Sequence, residues 1–101
     1  MNEKQLLTLL RKKKGFFEAI LELTESETDL PLNEWVPVLE QKRVFLMCID
    51  EVDGQLHPFK KTLHTISGEI KAELEHMRQV VKKILLLDGL NQEKRKEIIK
   101  S

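Results

Sequence analysis

Residues 33–52 read NEWVPVLEQKRVFLMCIDEV, and their apolar side chains recur at alternating intervals of three and four residues. The same alternation continues as far as residue 87 and is apolar at every position except Lys42 and Glu73. The positions are Trp35, Val38, Lys42, Phe45, Ile49, Val52, Leu56, Phe59, Leu63, Ile66, Ile70, Glu73, Met77, Val80, Ile84 and Leu87. A repeat kept over this distance is typical of long helices that pack along narrow apolar seams. We call these positions the seam, and they predict an all-α protein.

Capping and turn-forming residues predict where the first two helices begin. Asn2 followed by Gln5 resembles a capping box, and Asn33 can cap the second helix with its side-chain oxygen. Pro37 then falls in the first turn, where its missing amide costs little because those amides have no intrahelical partner. Between the two helices, the segment TESETDLPLN loses the apolar period and is predicted to be a connection.

The segment DGQLHPF, at residues 53–59, leaves two topologies open. Gly54 with Pro58 four residues later predicts a helix stop and a new start, which gives a helix hairpin. Alternatively, Gly54 relieves the clash between the Pro58 ring and the carbonyl group of residue 54, and one kinked helix continues. We favour the break because the Asp-Gly and His-Pro signals reinforce each other.

A second stop is expected at Asp88 and Gly89, after which Asn91 can cap a short last helix. The expected fold is a single helical domain over residues 1–101. It is an antiparallel bundle of three long helices plus a short C-terminal helix. The predicted helices cover about residues 2–25, 33–54, 58–88 and 91–100.

The composition indicates which classes of partner are expected and in which cellular compartment the protein is expected. The 17 Lys and Arg residues balance the 17 Asp and Glu residues, so no net charge favours nucleic acid or an anionic membrane. The single Cys48 cannot form an intramolecular disulfide, and residues 1–15 lack the apolar stretch of a signal peptide. No run approaches the roughly 20 apolar residues that span a bilayer. We therefore expect a cytoplasmic protein without membrane insertion.

The basic run at residues 11–14, followed by Phe16 and Phe17, is the one feature that points to nucleic acid or an acidic partner protein. Four consecutive residues of a helix point in four directions, however, and the net charge is zero. A solvated helix face is therefore the better interpretation, and we expect no nucleic-acid binding.

The side chains that could carry chemistry do not form a catalytic set. Glu73 and His76 have the E-x-x-H spacing of carboxylate-bridged di-iron bundles, but such sites need a second pair, which the sequence lacks. Ser67 and Gly68 lack the context of a nucleophile elbow, and no glycine-rich phosphate loop occurs. The sequence therefore predicts no enzyme activity, no cofactor and no metal site.

The third predicted helix carries more apolar side chains than two shorter helices can cover. One interpretation is that this surplus is closed by the last helix or by a homodimer, which would make the chain a structural helical-bundle module. The other interpretation is a groove for the amphipathic helix of a partner protein, a use that methionine tolerates well.

Two segments resemble the flagellar export chaperones of the FliT type, and the related FlgN type is similar. In LNEWVPVLEQKRVFL, the pattern of that family falls on Trp35, Leu39, Arg43 and Leu46. The later segment VVKKILLLDGLNQEKR resembles the family's ending, in which a leucine-rich run meets an aspartate and a short basic helix.

The resemblance implies a small cytoplasmic helical bundle that binds the C-terminal helix of a flagellar filament-cap or hook-associated protein. Such a chaperone prevents premature assembly of its substrate and delivers the substrate to the export apparatus. It also implies that the third helix makes much of the contact and that residues 91–101 can cover the contact surface. By position, the partner-binding residues are Leu63, Ile66, Ile70, Met77, Val80 and Ile84.

Overall fold

The computed structural model describes residues 3–59 and 67–100. Helix α1 covers Glu3–Glu27, a 3-10 turn covers Leu32–Glu34, α2 covers Trp35–Leu56, and α3 covers Gly68–Lys100. Residues 57–59 form a further 3-10 turn. No strand occurs among the described residues, so the predicted all-α class is confirmed.

Helix α1 is the shared partner of the other two helices. Its backbone lies close to both α2 and α3, whereas α2 and α3 approach each other less closely. Arg11 near the start of α1 bonds to Glu69 of α3, and Glu27 at its end bonds to Arg95, so α1 and α3 run parallel. Helix α2 runs antiparallel to both. The result is an up-down-up bundle with extents of 54 × 21 × 17 Å.

Buried seam residues pack against apolar side chains of α1 to form the core of this bundle. One buried cluster joins the start of α1 to Phe59 and the first half of α3, and a second joins the middle of all three helices. The first contains Leu6, Leu7, Leu10, Phe59, Ile70 and Met77, and the second contains Ile20, Ile49, Val80 and Ile84. Each such side chain contributes about 1.5–3 kcal/mol when fully buried, so both clusters stabilise the fold.

The predicted helix break near Gly54 is confirmed, but the helix ends lie at other residues than predicted. Helix α2 ends at Leu56, two residues beyond Gly54, and α3 begins at Gly68. Of the predicted third helix over residues 58–88, residues 60–66 lie outside the described residues. Ser67 explains that start, because its hydroxyl oxygen accepts a hydrogen bond from the Ile70 amide at 3.3 Å. This is an N-cap contact, which satisfies an amide that has no intrahelical partner.

The predicted cap at Asn33 is wrong, although Pro37 does lie in the first turn of α2. Asn33 belongs to the preceding 3-10 turn, which begins after the extended residue Pro31. The Glu34 amide donates to the Pro31 carbonyl oxygen at 2.9 Å. A backbone contact in this turn therefore takes the place of the expected side-chain cap.

The predicted stop at Asp88 and Gly89 is also wrong. Helix α3 continues through both residues for a total of 33 residues, so the chain has no separate short C-terminal helix over residues 91–100. A glycine inside a helix costs about 1 kcal/mol relative to alanine. Contacts of Asp88, Asn91 and Arg95 with the other two helices oppose that cost and keep α3 helical.

Candidate functional site

The structure places the described members of the predicted partner-binding set in the core. Ile70 and Met77 belong to the first buried cluster, and Val80 and Ile84 belong to the second. None of the four is more than 7% exposed. Leu63 and Ile66 lie outside the described residues. In this conformation the four side chains pack within the bundle, and their contact with a partner stays a prediction. For Ile70, Val80 and Ile84 such contact requires the bundle to open, whereas Met77 also lines a surface groove.

The reason for this burial is the parallel alignment of α1 with α3. Sequence spacing shows which side chains share a face, but it does not show how two helices are offset along their axes. Since α1 runs alongside α3 from Glu69 to Arg95, it covers the seam from Ile70 to Ile84. The expected uncovered groove therefore does not run along the seam, most of which α1 covers.

The two polar seam positions each face opposite charges on another helix. Glu73 on α3 has its carboxylate 2.7 Å from the Lys14 ammonium and 3.3 Å from the Arg11 guanidinium of α1. The Lys14 contact is the main reason why the pKa of Glu73 lies below its ordinary value, although burial opposes that effect. His76 lies on the same side, with Nδ1 3.4 Å from the Lys14 nitrogen. Both members of the E-x-x-H pair thus contact Lys14 of α1, and Glu73 does so as an ion pair.

The second polar seam position, Lys42, belongs to a buried network around Glu27. The Glu27 side chain has no exposed surface, and its carboxylate contacts Lys42 at 3.3 Å and Arg95 at 2.5 Å. Asn91 donates to the same carboxylate at 2.9 Å, and Lys42 also contacts Asp88 at 2.8 Å. One acidic side chain of α1 thereby binds residues from both other helices. We call this set, together with Trp35, the Glu27 network.

Trp35 closes the network at the start of α2. Its indole nitrogen donates to the Glu27 carbonyl oxygen at 3.0 Å, and the Arg95 guanidinium lies over its ring, 4.7 Å from the centroid. This arrangement is a cation–π contact, to which Arg is well suited. Trp35 therefore fixes the connection between α1 and α2 and supports the C-terminal part of α3.

The sequence contains one indication of this network that the helix prediction did not use, namely the position of Asn91. Asn91 stands four residues after Leu87, which is the next step of the seam. Its side chain is 2% exposed and also donates to the Thr24 carbonyl oxygen at 3.2 Å. A seam that continues through Gly89 predicts a continuous helix. The partners of Lys42 could not be found this way, because spacing does not show which residue of another helix faces it.

A shallow groove with an apolar floor and a cationic rim lies between α1 and α3. The floor consists of Phe17, Leu74, Met77 and Val81, and the rim consists of Lys13, Arg78 and Lys82. We call these seven residues the cation-rimmed groove. Three of the four floor side chains are only partly buried, so the groove offers apolar contact area to another molecule.

The charges of the rim are only partly neutralised. Lys13 pairs with Asp53 of α2 at 2.5 Å and lies 6.0 Å from the centroid of the Phe17 ring. Arg78 pairs with Glu75 at 3.7 Å, and both side chains are more than half exposed. Lys82 has no ion-pair partner among the described residues. An exposed ion pair contributes only about 0–1 kcal/mol, so the Arg78 contact is easily exchanged for another carboxylate.

A second apolar surface runs along the outer side of α2. Val36, Leu39, Leu46 and Met47 are 59%, 40%, 51% and 64% exposed. We call these four residues the α2 stripe. Leu39 and Leu46 belong to the pattern that resembles the export chaperones, and Arg43 of that pattern is exposed beside them. Of that pattern, only Trp35 is buried in the bundle.

The described residues hold no cluster suited to a metal ion. Within residues 3–59 and 67–100, no three His, Cys, Asp or Glu side chains come together as ligands. In the same part of the chain, none of the helices is both long enough and apolar enough to cross a membrane.

Comparison of the chain with protein-family models, with curated proteins and with solved structures gives no match.

Proposed function

We propose that the chain is a helical binding module that holds an amphipathic, acidic segment of a partner protein in the cation-rimmed groove. The observation that carries this proposal is the combination of an open apolar floor with cations around it. An amphipathic helix laid in such a groove would bury apolar side chains on Phe17, Leu74 and Val81. Its flanking carboxylates would then lie near the rim.

The charge of the rim selects an acidic partner over a basic one. Lys82 has no ion-pair partner among the described residues, and the Arg78 contact with Glu75 is exposed to solvent. Carboxylates of a partner therefore gain attraction without breaking a buried pair. A basic segment would meet three cations of like charge. The floor can also accommodate partner side chains of different shapes, because the flexible thioether of Met77 adapts to different apolar groups.

The specific form of this proposal is a flagellar export chaperone. Support for it comes from the resemblance of residues 32–46 and 80–95 to the FliT-type chaperones. In this form the partner is the amphipathic C-terminal helix of a filament-cap or hook-associated protein. The chaperone holds that helix in the cytoplasm, prevents premature assembly, and passes the substrate to the export apparatus. This function needs no catalytic group, cofactor or metal.

Binding of labelled helical peptides to the full chain tests both levels of the proposal. The probes are C-terminal segments of flagellar cap and hook-associated proteins, a designed acidic amphipathic helix, and a basic helix with the same apolar residues. Fluorescence anisotropy should show one-to-one binding of the flagellar and acidic helices, weakened by salt, and much weaker binding of the basic helix. Val81→Asp should remove binding, and Lys82→Glu should weaken it at least about tenfold.

Leu86→Asp is the matched control, because Leu86 is 67% exposed on α3 outside the groove. It should leave binding unchanged. If the acidic helix binds but no flagellar peptide does, the binding module stands and the flagellar assignment is wrong. If the acidic and basic helices bind equally, or if Val81→Asp has no effect, the groove is not the binding site.

A further inference from the structure

A cavity between the three helices adjoins the cation-rimmed groove. Its volume is about 390 Å³, and its apolar walls include Leu6, Leu10, Leu56 and Leu74. Lys13 and Leu74 line both the cavity and the groove, so the two spaces are continuous with each other. The cavity is the more enclosed of the two, because α2 contributes to its walls as well as α1 and α3. We call it the three-helix cavity.

The polar residues of the three-helix cavity lie on its open side. Asp53 and His57 of α2 are exposed, and Asp53 forms an ion pair with Lys13 of α1 at 2.5 Å. The Asp53 side chain is 46% exposed, so its carboxylate has room to accept a further hydrogen bond. An apolar space with a few polar groups at its opening is typical of sites that hold one bulky group in a fixed orientation.

The path from this cavity to the far end of the groove matches two turns of a helix. Phe17 follows Leu10 by seven residues on α1, and Val81 follows Leu74 by seven residues on α3. At 1.5 Å per residue, the members of each pair are about 10 Å apart along the helix axis. A partner helix laid along this path therefore places two side chains, seven residues apart on one of its faces, in the cavity and on the groove floor.

We infer that the three-helix cavity takes a tryptophan side chain of the same acidic segment that the cation-rimmed groove holds, an inference that rests on the proposed function. The indole ring fills the apolar space, and its N–H group, which needs an acceptor when buried, donates to the Asp53 carboxylate. Phenylalanine fills the same space without that donor. Aromatic side chains in enclosed pockets carry a large share of the binding energy at protein interfaces. The tryptophan therefore sets the specificity of the site, and the cations of the rim attract the rest of the segment.

Three labelled peptides test the inference on the full chain. Each is the designed acidic amphipathic helix with Trp, Phe or Ala at the position seven residues from its groove-binding apolar residue. Versions with this position toward either end of the peptide cover both directions of the partner helix. In one direction, fluorescence anisotropy should show that the Trp peptide binds at least about tenfold more tightly than the Ala peptide, with the Phe peptide between them.

Variants of the chain locate the tryptophan. Leu56→Trp fills the cavity and should remove the advantage of the Trp peptide, while the affinity for the Ala peptide stays unchanged. Leu46→Trp makes the same substitution at a position of α2 that is 51% exposed and should keep the advantage. Circular dichroism should show unchanged helix content for both. Asp53→Ala changes an exposed residue and should make the Trp and Phe peptides bind equally, because the acceptor of the indole N–H is gone.

The outcomes separate this inference from the proposed function. If neither the Ala nor the Trp peptide binds the wild type, the groove is not a binding site and the proposed function fails together with the inference. If the Ala peptide binds but tryptophan adds nothing in either direction, the groove stands and the inference is overturned. An advantage of the Trp peptide that survives in a folded Leu56→Trp variant, or a Trp-to-Phe ratio that Asp53→Ala does not change, also overturns it.

Discussion

The ammonium group of Lys42 lies 3.3 Å from the carboxylate of Glu27, a side chain with no exposed surface at the end of α1. This pair explains a lysine in the middle of an otherwise apolar seam. A buried ion pair adds little net stability compared with apolar residues of the same size, but it strongly disfavours arrangements that leave either charge unpaired. Lys42 can contact both Glu27 and Asp88 only when α2 is aligned with the end of α1 and with the C-terminal part of α3. The Glu27 network therefore specifies how the helices are offset.

Glu27→Gln should destabilise the protein by about 3 kcal/mol. The amide keeps the shape of the carboxylate but leaves the charges of Lys42 and Arg95 without their shared anion, a change that typically costs about 3–5 kcal/mol in a buried site. Urea denaturation followed by circular dichroism measures the loss. Glu25→Gln on the exposed side of the same helix is the control and should change stability by less than about 0.5 kcal/mol. Equal effects of the two variants would show that Glu27 contributes no more to stability than an exposed glutamate, which would contradict the role assigned to the Glu27 network.

Gly89→Ala should stabilise the protein by about 0.5–1 kcal/mol. Gly89 lies inside α3, has no positive φ, and has open space where a β-carbon would be placed. Alanine then lowers the entropy of the unfolded chain without strain in the folded state. Thermal denaturation measures the gain. Gly89→Pro should lower stability by about 3 kcal/mol, because proline removes a helical hydrogen bond. A destabilising alanine would indicate a helix end at this position.

Ile70→Ala should lower stability by about 2–5 kcal/mol, because Ile70 is 2% exposed and truncation leaves a cavity between α1 and α3. Leu86→Ala removes a similar volume from an exposed site and should change stability by less than about 0.5 kcal/mol. Denaturant unfolding of both variants distinguishes a core residue from a surface contact. A small effect of Ile70→Ala would indicate a surface position and would favour the partner-binding role predicted from the sequence.

Glu73 should contribute a pH-dependent part of the stability. Its pKa is lowered in the folded state, chiefly by Lys14, so the contribution is complete above its ordinary pKa and is lost as pH falls through the folded value. At neutral pH, Glu73→Gln should cost about 0.5 kcal/mol, a magnitude typical of ion pairs screened by solvent. The difference between wild type and variant should shrink in acid. Unfolding free energies at several pH values measure it, with Glu75→Gln as the exposed control, and a difference that grows in acid would contradict the assignment.

The seam predicted the core but not the neighbours of its polar positions. A three-four alternation shows that Ile49, Val80 and Ile84 share the inner face, and all three are buried together. It does not contain the axial offset between helices, which decides that Lys42 meets Glu27 and that α1 covers Ile70. Gly89 illustrates a different limit of the sequence prediction. The local sequence predicts a helix stop there, but contacts made by residues on both sides of Gly89 keep the chain helical.

The α2 stripe shows why surfaces are harder to predict than cores. Leu39 and Leu46 look like further core residues in the sequence, since they stand next to the seam positions Val38 and Phe45. They are exposed because α1 covers one side of α2 and no described helix covers the other side as closely. Whether an apolar residue beside a seam is covered depends on the number of neighbouring helices, which periodicity does not contain.

The cation-rimmed groove is tested most directly by titration of the isotopically labelled chain with the designed acidic amphipathic helix, followed by amide NMR. Binding in the groove should shift the amide signals of Phe17, Leu74, Val81 and Lys82 at low peptide concentration. The signals of Leu39 and Met47 on α2 should remain in place, and Lys82→Glu should weaken the response. Shifts confined to the α2 stripe, or no shifts at all, would contradict binding of an acidic partner helix between α1 and α3.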